Sequence, residues 1–136
     1  LLSMENYHHA SHSKYLLLSH LVFVVKYRKR LLREKVAEDM KAILLDIAKN
    51  SDFSIVVLET DVDHIHIMVD YHPTLSIFQI VRRLKSLSTR IIWEIYPKML
   101  SCQFLKEKTF WSDGYFACST GNASTDTVRK YIEKQG

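Results

Sequence analysis

The stretch Asp61-Val62-Asp63-His64-Ile65-His66-Ile67-Met68-Val69-Asp70-Tyr71 decides how the chain folds. From His64 onward, His64, His66 and Asp70 fall in one phase, and Ile65, Ile67 and Val69 fill the positions between. A period of two predicts a half-buried strand. Phe53 to Leu58 is another β-branched run, and only the short Asp61-Val62-Asp63 link separates the two. So short a connection demands an antiparallel hairpin.

Upstream of the hairpin, β-branched and aromatic residues from Tyr15 to Tyr27 predict a first strand. Val36, Met40, Ile43, Leu44 and Ile47 recur at helical spacing and predict a helix ending near Asn50. Downstream, Pro73 stops the hairpin, and Thr74 or Ser76 is placed to cap a second helix. Leu75, Phe78, Val81, Leu84, Leu87, Ile91 and Ile95 line that helix until Pro97. Phe110 to Ser119 reads as a fourth strand and Gly121-Asn122 as a turn. A last helix starts near Ser124-Thr125-Asp126 and carries Val128, Tyr131, Ile132 and Gln135.

The order β-α-β-β-α-β-α predicts an α+β fold. Its first six elements follow the ferredoxin-like, or split βαβ, pattern of an antiparallel sheet with two helices on one face. The C-terminal helix is extra to that unit. With 136 residues, one domain over residues 15–136 is expected, preceded by a mobile, His-rich lead-in at 1–14 whose Leu1-Leu2-Ser3 is foreign to the fold.

Composition narrows the function classes. The chain is 47% hydrophobic and 25% charged, with 3 Gly and 2 Pro, which excludes collagen-like and disordered chains. Its net charge of +4 favours polyanionic partners. Cys102 and Cys118 form neither a metal-binding pair nor a disulfide framework. The run from Leu16 to Val25 is too short to span a bilayer, and no signal-like leader opens the chain, so a cytoplasmic location is expected.

His64 and His66 stand two apart on a strand, so their side chains share a face about 6.8 Å apart and can converge on one divalent ion. A third ligand is not fixed by local spacing. Asp63 faces the opposite side if the strand has already begun there, Asp70 lies roughly 13 Å from His66 along the strand, and Asp61 would have to bend back. Tyr131 and Gln135, four apart on the last helix, stack one above the other. Laid across the histidine face, that helix would bring a phenol and an amide oxygen to the metal. A half-buried core tyrosine would show the same local pattern. Lys26, Arg28, Lys29 and Arg30 form a basic cluster after the first strand.

Taken together, these segments resemble the single-tyrosine HUH transposases of the IS-two-hundred-like, TnpA-type insertion-sequence group. Those enzymes carry His-hydrophobic-His on a central strand and, on a later helix, a catalytic tyrosine followed four residues on by Gln. The resemblance runs from Leu21 to Gln135 through Lys26-Tyr27-Arg28, Thr60-Asp61-Val62-Asp63-His64-Ile65-His66, Phe110-Trp111, Phe116-Ala117-Cys118-Ser119-Thr120-Gly121 and Val128, Tyr131, Ile132 and Gln135. Tyr96 and Tyr115 have no Gln at that spacing.

The resemblance implies a transposase that cleaves and rejoins single-stranded DNA through a 5′-phosphotyrosine at Tyr131. It implies Mg²⁺ or Mn²⁺ held by His64, His66 and Gln135, although Zn²⁺ would also accept two histidines. It further implies DNA hairpins at transposon ends as substrate, contacted by Lys26, Arg28, Lys29 and Arg30. A homodimer in which the tyrosine helix completes the partner's site is implied as well. A noncatalytic single-strand-binding module on the same scaffold is the competing reading. It would want aromatics where His64 and His66 stand. A histidine-triad hydrolase would need a third histidine where Met68 is found.

Overall fold

A computed structural model describes residues 17–119 and 125–135. The predicted lead-in at 1–14 and the Gly121-Asn122 turn lie outside the described residues. Four strands, β1 (Leu17–Val24), β2 (Phe53–Asp61), β3 (His64–Tyr71) and β4 (Phe116–Ser119), form one antiparallel sheet in the order β2-β3-β1-β4. Helices α1 (Glu34–Lys49), α2 (Ile77–Ile95), α3 (Pro97–Phe104) and α4 (Thr125–Lys134) complete it. The expected α+β arrangement, an antiparallel sheet with helices and a C-terminal helix carrying Tyr131, is the one observed.

The pleat sorts the sheet into two faces. Leu21, Phe23 and Val25 of the first strand and its continuation, with Ile65, Ile67 and Val69 of β3, are buried beneath α1 and α2. Met40, Ile43, Leu44 and Ile47 from α1 meet Ile80, Val81, Leu84 and Ile92 from α2 in that core. Val22 and Val24 point the other way and pack under Val128 and Ile132 of α4, a second, smaller cluster. α4 therefore lies on the face opposite α1 and α2, the face that carries the histidines.

Three predicted boundaries differ from the structure, each for a local reason. β1 gives way after Val24 to a bridge at Val25 and a 3-10 turn at Lys26–Arg28. There Tyr27 and Arg28 both take positive φ, 61° and 53°, which ends the strand before Tyr27. Pro97 does end α2 but then opens α3, using its fixed φ at the first helical position, where no N–H is needed. The predicted strand from Phe110 splits: Trp111 bridges Val25, and the chain then bends at Asp113 and Gly114 (φ 80°) before β4 begins at Phe116. Of the two candidate caps for α2, Ser76 takes the role, accepting from the Gln79 amide while the Gln79 side chain accepts from the Ser76 amide. Among the described residues no helix is long and apolar enough to cross a membrane.

Candidate active site

The hairpin between β2 and β3 turns at Val62 and Asp63, so Asp63 lies in the turn and not on the strand. Freed from the strand's alternation, its carboxylate curls back onto the histidine face. Oδ1 accepts from His64 Nδ1 at 2.8 Å, and Oδ2 faces Arg28 Nε at 3.4 Å. The two-residue positive-φ turn at Tyr27 and Arg28 carries the Arg28 guanidinium across to this point. Burial opposes ionisation of Asp63, but the bond from His64 and the Arg28 charge outweigh it, and its pKa is lowered.

With Nδ1 spent on Asp63, His64 presents Nε2 to the face, where it lies 3.2 Å from Nε2 of His66. His66 Nδ1 in turn meets Nε2 of His20 at 3.3 Å. Burial, followed by the neighbouring His64 and His20, lowers the His66 pKa, so this ring is neutral at physiological pH. The result is a chain from Arg28 through Asp63, His64 and His66 to His20, drawn from a turn, a hairpin loop and two adjacent strands.

The chain floors a cleft of about 830 Å³. Its walls include Glu59 and Asp61 from β2, Arg28 and Arg30, and Val128, Arg129, Ile132 and Glu133 from α4. Register places Glu59 opposite His66 and Asp61 opposite His64. Carboxylates, imidazoles and guanidinium groups thus share one pocket, an arrangement able to hold a cation and an anionic substrate together.

Of the residues singled out by sequence, His64 and His66 come together as expected, and Arg28 and Arg30 border them. Lys26 pairs with Asp113 at 3.6 Å, and Lys29 donates to Gln103 at 3.3 Å; neither lines the cleft. Tyr131 and Gln135 do not line it either. The Tyr131 ring packs on Phe116, with centroids 5.8 Å apart, and burial raises its pKa. The Gln135 amide nitrogen donates to the Tyr131 carbonyl at 3.3 Å. Tyr131 is about 100° round the helix from Ile132, which faces the cleft. Among the described residues no three His, Cys, Asp or Glu side chains converge on a metal position.

Sequence reasoning missed His20 and Glu59. The available signal for His20 was its phase with Val22 and Val24 on β1, but that phase has meaning only once β1 is known to neighbour β3. Glu59 needed the hairpin register, which the two-residue turn sets.

The chain is 33% identical over 125 residues to the ISDra2 transposase TnpA of Deinococcus radiodurans, covering 89% of this chain and 85% of the relative. It is 25% identical to the transposase for insertion sequence element IS200 of Salmonella typhimurium, covering 92% and 80%. A crystal structure of a transposase from Deinococcus radiodurans R1 superposes with a TM-score of 0.83 at 28% identity, covering 92% and 95% of the two chains. A REP-associated tyrosine transposase bound to a REP hairpin shares the fold, with a TM-score of 0.53 at 13% identity, over 90% of this chain and 68% of that one. The family model described as "Transposase IS200 like" matches residues 13–135, nearly the whole length, and the chain therefore belongs to the IS200-like transposases.

Proposed function

We propose that this IS200-like transposase cuts and rejoins single-stranded DNA at insertion-sequence ends through a 5′-phosphotyrosine on Tyr131. The observation that carries the reading is the pair of Nε2 atoms of His64 and His66, 3.2 Å apart and both turned into the cleft, with each ring's Nδ1 already engaged. Two nitrogens bound at about 2.1 Å to one cation stand roughly 3.0–3.4 Å apart for bond angles between 90° and tetrahedral. The pair fits that requirement, and the bond from Asp63 is the carboxylate–histidine arrangement that orients metal ligands. His64, His66 and Gln135 would hold Mg²⁺ or Mn²⁺, which when bound offsets charge on the phosphate oxygens.

The remaining steps fall to the chain's own groups. The Tyr131 phenol gives up its proton, and its oxygen attacks the phosphorus. The bond to the leaving 3′ oxygen breaks, and that oxygen takes up a proton from water in exchange for the one the phenol released to water, leaving a free 3′-hydroxyl and a 5′-phosphate on the tyrosine. Attack by a 3′-hydroxyl on that phosphotyrosine reverses the exchange and joins DNA with no other energy source. Arg28 and Arg30 border the cleft and suit the phosphate backbone on either side of the cut, while Lys26, paired with Asp113, and Lys29, donating to Gln103, lie outside the cleft and would contact DNA beyond it. Hairpins at the element ends are the substrate proposed.

Within one chain Tyr131 rests against Phe116 with its pKa raised, a state unsuited to attack. A homodimer in which α4 crosses to the partner would present Tyr131 and Gln135 to the partner's histidines, and this is the assembly proposed. The reading is tested by mixing the protein with labelled single-stranded element ends and Mn²⁺ or EDTA, followed by denaturing electrophoresis. A metal-dependent covalent band, absent in Tyr131→Phe, is expected. DNA binding with no such band in the wild type would reject catalysis in favour of a binding module.

A further inference from the structure

The outer nitrogen of His66 is held by His20, a residue to which the proposed reaction gives no part. Asp63 is acceptor-only when ionised, so the 2.8 Å contact makes His64 Nδ1 the donor, and a His64 ring carrying that one hydrogen has a bare Nε2. Without a cation, two bare nitrogens at 3.2 Å repel, so the hydrogen between them sits on His66 Nε2. His66 Nδ1 is then an acceptor, and His20 Nε2 must donate to it across 3.3 Å. For His66 to act as a ligand the same bonds must run in the opposite sense. Its Nε2 loses the hydrogen, its Nδ1 gains one, and His20 Nε2 becomes the acceptor.

We propose that His20 is a positioning residue for His66, an imidazole that reverses from donor to acceptor as the two histidines of β3 take up a divalent cation. Backbone geometry supplies the pairing. His20 lies on β1 opposite Met68, one same-face position along from the Val22–His66 pair, so its ring leans diagonally onto His66 with centroids 5.4 Å apart. His64 and His66 are thereby held by unlike partners: a charged carboxylate fixes the first in one tautomer, and a neutral ring leaves the second free to switch. No net proton enters or leaves the site in the reversal, because each ring keeps one N–H and exchanges its position through water. The inference rests on His64 and His66 as the ligand pair.

The test is nitrogen NMR of the ¹⁵N-histidine-labelled full chain, metal-free and with saturating Mg²⁺, together with Mn²⁺ titration followed by electron paramagnetic resonance. Wild type should show His66 as the Nε2–H tautomer and His20 as Nε2–H when metal-free, and both as Nδ1–H with Mg²⁺. His20→Phe and His20→Leu, which keep bulk but offer no polar atom, should weaken Mn²⁺ binding about tenfold or more. His20→Gln, whose amide can flip to present oxygen or nitrogen, should recover most of the loss. Unchanged Mn²⁺ affinity in whichever acceptor-free variant folds overturns the inference, as does a His20 tautomer that stays fixed while His66 changes. If wild type binds neither ion, the ligand reading fails and the reversal falls with it. A metal-free His66 that nevertheless changes tautomer in His20→Phe would then leave only a static hydrogen bond.

Discussion

Asp63 stands next to His64 in sequence, where a strand's alternation would turn the two side chains to opposite faces, yet its carboxylate accepts from His64 Nδ1 at 2.8 Å. The two-residue turn makes the difference, because a residue in the turn is released from the alternation that governs β3. The contact fixes which His64 nitrogen faces the cleft. Asp63→Ala should leave the sheet intact and weaken Mn²⁺ binding by about 10- to 100-fold, the usual cost of removing a carboxylate behind a ligating histidine. Isothermal titration with Mn²⁺ reads this directly, and an affinity within twofold of wild type would show that Asp63 does not orient His64.

The contact between α1 and the end of α2 carries its own pH signature. The Tyr96 hydroxyl donates to Asp39 Oδ2 at 2.5 Å. That bond raises the Tyr96 pKa to about 12 and, as the largest influence on Asp39, lowers the carboxyl's pKa. A lowered carboxyl pKa contributes stability above its unfolded value, lost as pH falls through the folded value. A raised phenol pKa contributes stability below about 10, the unfolded value, lost as pH rises through about 12. Tyr96→Phe should therefore lower the melting temperature most between about pH 5 and 10, with the two proteins converging at either extreme. Thermal scans across pH check this; a difference independent of pH would assign the effect to packing alone.

Much of this architecture was legible because it is written locally. The period-two run of β3, the short Asp61–Asp63 link and the helical stripes of α1 and α2 each specify an element without help from the rest of the chain. What escaped was set by tertiary neighbours. The eight residues of α3 are too few to declare a stripe, and Pro97 reads equally as a stop and a start. The predicted strand from Phe110 contains the right residue types, but Phe110 and Trp111 serve the α2 side while Phe116 serves α4, and the Gly114 bend divides them. At the site, His64 and His66 were visible as a spacing. His20 and Glu59 became visible only through strand order and register. The side that Asp63 faces depended on where the strand begins, and the turn leaves it just outside β3.

Lys85 ties that Gly114 bend to α2. Its ammonium donates to the carbonyls of Ser112 at 2.6 Å and Gly114 at 2.7 Å, above the Phe23 ring. Burial lowers its pKa, with Asp113 opposing the shift. Lys85→Met keeps the aliphatic stem but removes both bonds, at a cost of about 1–2 kcal/mol, reduced from the full value for charged donors because Gly114 is exposed and water can replace the lost donor there. Urea unfolding should show a lower midpoint with unchanged slope. An unchanged midpoint would mean that the bend holds itself. The bend also backs the tyrosine: a Cβ built on Gly114 would stand 4.0 Å from the Tyr131 hydroxyl.

The docking of α4 is separable from the main core, and that separation can be measured. Val128 and Ile132 pack on Val22 and Val24 in a cluster that shares no residue with the one beneath α1 and α2. Burying two such side chains contributes about 3–6 kcal/mol, roughly the energy holding α4 to the sheet. Val128→Asp places a charge in that cluster and should undock α4 while the principal core stays cooperative. Limited proteolysis should then cut after Arg129 or Lys130 at least tenfold faster, while tryptophan fluorescence from Trp93 and Trp111, both in the main core, still reports a single unfolding transition. Because the Tyr131 ring rests on Phe116 in the same cluster, undocking should also release the phenol from burial and lower its pKa toward the ordinary value. Ultraviolet titration of the variant against wild type reads that shift. Global unfolding of Val128→Asp would instead make α4 integral to the fold, leaving no independent movement by which Tyr131 could reach a second site.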